Sequence, residues 1–479
     1  METMNGNLAK RAGTGFRAIV LASLLALAAC RSEGKPASSS VPRPAPPPSL
    51  KVIVWRDAEL AARIEQEWAA RAAGKLEVVQ RNDAPSETDR LDADLIVFPS
   101  SWLGQLAEWA LIEPLPPPDS DDESDRRDIL PMQRLREVVW GKRTYGVSFG
   151  SPQLVMYVRR GAVADESWKP PATWKAYGEL IERLAARGKR PRAVVAEPLG
   201  PGWAARVLLA RAAPYVRHAS QFSDLFDYGT MKSLIDRPPY VRALKELVAA
   251  SRHAPAEVIE AGPEDVKRWF YEGKVAMALS WPSGAFVISD QVKDSIPPEQ
   301  VVLAPLPGSE QAYHFEWKSW SRREKDEPLR VPLLGSAGRL GAVVRGTRHR
   351  AAAADALRWL TSREHGAGVA RASRATAPFR YSHARDVGWV DEGLSQEHAE
   401  AYGKQVEQTQ GLPRSMHLLR IPGASEYLKI LDEAVRRVVR GEAEAEAALH
   451  EAAESWDEVT RRLGRELQQR AYRRSLGLP

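Results

Sequence analysis

The first apolar run in the chain carries a charged preface. Lys10, Arg11 and Arg17 stand before an uninterrupted apolar or small stretch from Ala18 to Ala29, and Cys30 follows directly. A basic leader and a short apolar core form the pattern of a secretory signal, too short to span a bilayer as a mature helix. The pattern then turns polar and proline-rich from Arg31 to Ser49, with Ser38-Ser39-Ser40 and Pro46-Pro47-Pro48. Such a segment predicts a semi-rigid tether.

From residue 50 two periods alternate. Lys51-Val52-Ile53-Val54-Trp55 predicts a short buried strand, and Leu60, Ile64, Trp68 and Ala72 then recur every fourth residue as one face of a helix closed by Gly74. Leu76 to Gln80 predicts a second strand. Ala93 to Phe98 predicts a third, continued by a helix bearing Leu103, Leu106, Ala107 and Ala110. Strands alternating with helices predict an α/β lobe with a largely parallel sheet. The pattern returns after Tyr145 to Val158, with helices near Trp174 to Ala186 and Trp203 to Ala212, another ending near Tyr271, and a strand at Val275 to Ser280. This predicts a second lobe. From Gln396 onward the chain reads as mostly helical, broken near Pro413 and Pro422, with a long charged stretch from Glu442 to Arg473.

Composition narrows the function classes. The 68 basic and 62 acidic residues are mixed along the chain, apart from an acidic patch at Asp119 to Asp128, so the net charge of +6 does not make the clustered basic face that nucleic acid demands. Past the N-terminus no stretch of 18 apolar residues occurs, and no membrane span is expected in the body. Cys30 is the sole cysteine. Leu27-Ala28-Ala29-Cys30 resembles the lipobox of bacterial lipoproteins, which implies cleavage before Cys30 and a diacylglycerol on its thiol. Lipidation there leaves no thiol for a disulfide, a catalytic nucleophile or a zinc site. The expected location is the cell envelope, anchored to a membrane and facing the periplasm or exterior.

Open α/β sheets bind ligands beyond the carboxyl ends of their strands, and Trp55, Ser100-Ser101-Trp102 and Trp281 occupy such ends. Aromatic faces are platforms for the C–H faces of a sugar ring. Of the fifteen tryptophans, Trp68, Trp109, Trp359 and Trp456 fall on helical stripes as core, whereas Trp55, Trp102, Trp203 and Trp281 are binding candidates. Enzymatic signatures fail on inspection. Gly13 to Ala18 matches a dinucleotide pattern only inside the signal; Leu334-Gly335-Ser336-Ala337-Gly338 lacks the first glycine of G-x-S-x-G; and the nine histidines contain no H-E-x-x-H pair. Paired carboxylates need only be close in space, so an anchored hydrolase acting on carbohydrate stays the alternative from another class. A receptor presenting ligand to a sensor is a third.

Several segments in order resemble the family 1 bacterial extracellular solute-binding proteins, the carbohydrate receptors of ABC importers. They are Ala93-Asp94-Leu95-Ile96-Val97 leading through Gly104-Gln105-Leu106-Ala107 to Leu111-Ile112-Glu113-Pro114-Leu115; Pro171-Ala172-Thr173-Trp174; and Trp269-Phe270-Tyr271-Glu272-Gly273-Lys274-Val275-Ala276-Met277. The longest match runs from Pro332-Leu333-Leu334-Gly335 through Gly341-Ala342-Val343-Val344 to Trp359-Leu360, and Ile421-Pro422-Gly423, Tyr427, Gly441 and Trp456 resemble the family's tail.

The resemblance implies a two-lobed periplasmic-binding-protein-like α/β fold of type II, with ligand in a cleft between lobes joined by a hinge. Residues 50–152 and 331–375 would form the first lobe, and 153–330 and 376–479 the second. It implies a monomer without catalytic residues, metal or cofactor, which hands a mono- or oligosaccharide to an ABC permease. Trp55, Ser101 and Trp102 would line the first lobe's side, Trp203, Trp281 and Ser283 the second's, and Gly335 and Ser336 would approach from a loop. Two departures stand out. Trp281-Pro282-Ser283 puts the ring two places before the family's Gly-Pro-Trp position, and the first contact loop offers Ser100 and Ser101 where relatives often carry an acid. Arg56 or Asp57 could bind hydroxyls instead, although Asp57 fits a helix cap. Arg339, Arg374 and Arg380 leave an anionic ligand open, and an insertion from Tyr313 to Arg330, with Trp317 and Trp320, either covers the cleft or decorates the surface.

Overall fold

The run at 50–55 becomes the strand Leu50–Trp55, and its side chains bury on both faces. In the computed structural model, which describes residues 48–71, 74–116, 123–163, 168–187, 193–287 and 296–478, this strand pairs in parallel with Leu76–Arg81 and Leu95–Pro99. The signal, Cys30 and nearly all of the tether lie outside the described residues. Strand Arg339–Val344 returns antiparallel beside Leu95–Pro99, with Ala342 opposite Ile96, and Ile112–Glu113 and Gly146–Ser148 complete six strands. Alternation sorts the side chains. Val52, Val54, Leu95 and Val97 pack with Leu60, Ile64, Trp68, Leu357 and Leu360, whereas Ile53, Trp55, Ile96 and Phe98 pack with Leu103, Leu106 and Trp140. A sheet covered on both sides needs continuous apolar strands, which is what the sequence supplies.

The second sheet orders Val301–Pro305, Val155–Arg159, Met277–Ser280 and Val195–Ala196. Here the expected parallel arrangement gives way. Val155–Arg159 runs antiparallel to both neighbours, and only Val195–Ala196 is parallel to Met277–Ser280. Burial on both faces makes a strand's apolar run continuous whichever way it points, so periodicity carries no direction. Helices Trp174–Ala186, Ala204–Val216 and Pro238–Ser251 belong to this half, the first capped by Thr173, whose hydroxyl accepts the Ala176 N–H at 3.2 Å.

The chain passes between the two sheets after Ser148, before Arg339 and beyond Ala370, and these passages touch. Arg339 N–H donates to the Gly150 carbonyl at 3.1 Å, and Gly150, at φ +100°, leaves no space for a Cβ, which would lie 2.0 Å from the Ala377 carbonyl oxygen. Helices Ala424–Val439 and Ala445–Arg462 pack together, the former also against Ala204–Val216. The long charged stretch is not one helix: Gly464, at φ +87°, separates Ala445–Arg462 from Arg465–Ser475. The last helix returns to the first half, where Arg474 pairs with Glu108 at 2.7 Å. The insertion folds as a hairpin, Gln311–His314 against Ser319–Arg322, with Trp320 edge-on to Tyr215 of helix Ala204–Val216. Among the described residues no helix is long and apolar enough to cross a membrane.

Candidate ligand cleft

Each half contributes two tryptophans that touch. At the end of strand Leu50–Trp55, the buried Trp55 meets the half-buried Trp102 edge-on, with centroids 6.1 Å apart. Just before helix Ala204–Val216, Trp203 meets Trp281, which follows strand Met277–Ser280, at 5.4 Å and a 38° tilt. The loop between strands Leu333–Leu334 and Arg339–Val344 reaches both halves. Ser100 N–H donates to the Gly338 carbonyl at 3.1 Å and its hydroxyl to the Ala337 carbonyl at 3.4 Å, while the Ser336 carbonyl accepts from Arg206 Nε at 3.0 Å. Ser336 thus sits on a strand-to-strand loop, not on the strand-to-helix elbow that exposes a nucleophilic serine.

A second bridge runs through residues 373 and 374. Trp281 Nε1–H donates to the Arg374 carbonyl at 2.8 Å, and the neighbouring Ser373 hydroxyl donates to Asp57 at 2.5 Å. Asp57 also accepts the Leu60 N–H at 3.1 Å, the helix cap its position suggested, and pairs with Arg339 Nε at 2.8 Å. The candidate residues therefore gather around two bridges. Ser101 is half-buried beside Trp102, and Ser283 is buried behind Trp281.

The arginines proposed for an anion are committed elsewhere. Arg339 is held by Asp57, Arg374 by Glu264 at 2.9 Å, and Arg380 by Asp125 at 2.8 Å and Asp128 at 3.4 Å. Arg380 is buried with Asp128, and half-exposed Asp125 from the same acidic patch folds back on it.

Residues without a local motif complete the site. The buried carboxylate of Asp391 accepts from Lys267 Nζ at 2.6 Å, Tyr157 OH at 2.6 Å, Tyr271 OH at 3.1 Å and the Ser283 N–H at 3.0 Å, and Lys267 also donates to the Trp281 carbonyl at 2.9 Å. Burial lowers the Lys267 pKa against the pull of Asp391, and burial first, then Asp391, raises Tyr157 well above its usual value. The network fixes the Trp281-Pro282-Ser283 turn from behind. Asp391 lies more than a hundred positions from Ser283, and no local pattern marks it.

Arg56 and Arg206 were also not singled out as a pair. Arg56 adopts φ +55°, a left-handed conformation that costs a non-glycine residue about 1–2 kcal/mol. Its N–H donates to the Arg81 carbonyl at 2.8 Å and its carbonyl accepts Arg339 Nη2 at 3.0 Å, so the surroundings impose the strain. The Arg56 guanidinium stands 5.0 Å over Trp102, and that of Arg206 5.3 Å over Trp203.

With this geometry in view, comparison with known proteins becomes informative. The profile for bacterial extracellular solute-binding proteins matches residues 73–367, more than half the chain. Among solved structures, a solute-binding protein of Agrobacterium radiobacter K84 in complex with ribitol is 16% identical, with a TM-score of 0.62 over 86% of this chain and 98% of that one. The sugar-binding protein MalE of Xanthomonas citri is 17% identical, with a TM-score of 0.63 over 87% of this chain and 98% of its own. The acarbose-binding GacH receptor of Streptomyces glaucescens is 14% identical, with a TM-score of 0.60 over 88% and 99%. A sequence search of curated proteins finds no match. Two sheets linked by three passages, similarity in fold to these receptors and a profile match across most of both halves lead to one assignment: the chain belongs to the bacterial extracellular solute-binding protein family.

Proposed function

We propose that this protein is the substrate-binding lipoprotein of an ABC importer, which captures a small solute of sugar character and delivers it to the membrane permease without transforming it. The observation that carries the reading is the pair of tryptophans on each half, bridged by a loop that touches both. Trp55, Ser101, Trp102, Trp203, Trp281, Ser283, Gly335 and Ser336 line the site. Flat aromatic faces suit sugar C–H surfaces, and the buried Trp55 Nε1–H, which finds no acceptor among the described residues, suits a ligand hydroxyl. Ligands in the similar structures, ribitol and acarbose, support the class.

In this reading residues 50–152 with 331–375, and 153–330 with 376–479, act as two lobes that close on ligand, and the closed form is what the permease recognises. Lipid on Cys30 holds the protein to the envelope by the tether. The testing experiment uses Cys30 to Pro479 with Cys30→Ser, stripped of ligand by reversible unfolding. A panel of sugars and polyols is screened by thermal shift while products are assayed. A ligand at about 100 times its Kd adds ~2.7 kcal/mol to stability. A raised Tm with ligand recovered unchanged supports the receptor; a product formed catalytically rejects it in favour of the hydrolase.

A further inference from the structure

Four arginines stand at the cleft, and they divide by charge. Arg339 and Arg374 are neutralised by Asp57 and Glu264. Arg56 and Arg206 make no ion pair among the described residues; Arg56 donates from Nε to the Asn82 carbonyl, and Arg206 donates to the carbonyls of Ser336 and Gly202. Each lies over one of the cleft tryptophans, Arg56 over Trp102 on one half and Arg206 over Trp203 on the other. Stacking and the bonds from Nε to protein carbonyls fix the plane of each guanidinium and leave its remaining terminal N–H groups to a ligand, donors that suit a carboxylate or phosphate.

Among the described residues no acid lies at ion-pair distance from either. Asp432 holds the N–H groups of Gly202 and Ala205 at 2.9 and 3.0 Å and keeps its charge, which offsets that of Arg206 only in part and from beyond contact. Asp57 is taken by Arg339, Glu264 by Arg374, and Glu59 is exposed in the first turn of helix Ala58–Arg71. The contact loop after strand Leu95–Pro99 supplies serines, Ser100 and Ser101, and no carboxylate. Arg56 moreover keeps a strained backbone that places its side chain over Trp102. Two cations without an ion-pair partner among the described residues, each over a tryptophan of a different half, would draw the halves together around a negative charge.

We propose that the cleft selects an anionic saccharide or polyol, one bearing a carboxylate or a phosphate, over its neutral counterpart, with Arg56 and Arg206 reading the charge. The inference rests on the cleft assigned above and narrows its substrate class. The test is calorimetric titration of the Cys30→Ser mature chain with matched sets: glucose, glucuronate and glucose 6-phosphate; maltose and maltobionate; ribitol and ribitol 5-phosphate. The anionic member of at least one set is expected to bind about tenfold or more tightly at low salt, with the advantage shrinking as ionic strength rises. Arg56→Gln and Arg206→Gln should each reduce that ratio severalfold, with apo melting temperatures checked to confirm folding. Whether carboxylate or phosphate gains more identifies the anion. Neutral members that bind as tightly as anionic ones, or a ratio that neither salt nor either variant changes, overturn the inference and leave the sugar receptor standing. Binding by no member of any set overturns both.

Discussion

Lys267 reaches the Trp281 carbonyl and the Asp391 carboxylate with one ammonium group, at 2.9 and 2.6 Å, in a site sealed from water. The pair ties helix Pro263–Tyr271 and the segment after Trp389 to the turn that carries Trp281. Removing one member strands a buried charge, which typically costs about 3–5 kcal/mol. Asp391→Asn and Lys267→Met are each expected to lower stability by that order in urea unfolding. The double variant Lys267→Met with Asp391→Asn should lose clearly less than the sum, since no uncompensated charge remains. Additive losses would mean that the two groups do not act as a pair.

Glu137 gives the protein a pH dependence of defined sign. It is buried beneath the glycine-bearing loop, and burial raises its pKa from 4.5 to about 7, while Ser151, Arg420 and the Gly335 N–H pull the other way. Among the described residues no donor meets hydrogen-bond geometry at either carboxylate oxygen. A folded-state pKa above the unfolded value means that the folded form holds the proton more tightly. Stability is then greatest below about pH 4.5 for this group, declines as pH rises and levels off above about pH 7, a total of about 3 kcal/mol. Glu137→Gln removes the titration. The variant is expected to gain on the wild type by up to that amount at pH 8 and to match it within about 1 kcal/mol at pH 4. Urea midpoints of both proteins across this range measure the difference, and a difference that stays flat with pH would sink the assignment.

Two glycines of one loop should respond differently to the same methyl group. Gly335, at φ +80°, has no atom nearer than 3.7 Å to an added Cβ, so Gly335→Ala meets mainly backbone strain of about 1 kcal/mol. Gly338, at φ +137°, would set its Cβ 2.0 Å from Ser151 Oγ and 2.9 Å from Ser100 Oγ. Gly338→Ala must displace the hinge passage as well as strain the loop, and is expected to cost about 3 kcal/mol or more. Thermal melts of the two variants rank the effects; equal losses would place the whole cost in the backbone.

The sequence was most legible where one face of one element decides the outcome. Thr173 before Trp174 marked a helix start, and the every-fourth-residue stripe of Leu60, Ile64 and Trp68 marked its buried face. Direction was illegible in the second sheet, because Val155–Arg159 is equally apolar against parallel or antiparallel partners. Trp55 and Trp281 could be placed at strand ends because that position follows from local order. Asp391, Lys267 and Arg206 could not be picked out, since their roles depend on partners 124 and 130 positions away. The charge of Arg339 misled for the same reason: its neutralising acid, Asp57, lies at the far end of the chain's path through the first half.

Trp203 and Trp281 are close enough that their contributions to binding should not add. Their rings lie 5.4 Å apart at a 38° tilt, and Trp281 is further fixed by its bond to the Arg374 carbonyl. Truncating either leaves its neighbour without the wall that holds it, so part of what each single variant loses is the placement of the other. Trp281→Ala is the more buried change and is expected to cost about 3 kcal/mol of stability; half-buried Trp203→Ala should cost less. For whichever ligand the screen identifies, each single variant is expected to weaken binding at least tenfold, and the double variant by clearly less than the product of the two. Calorimetry on the four proteins closes this cycle. Losses that multiply would make the two rings independent contacts, and no loss in either would remove this aromatic pair from the ligand site.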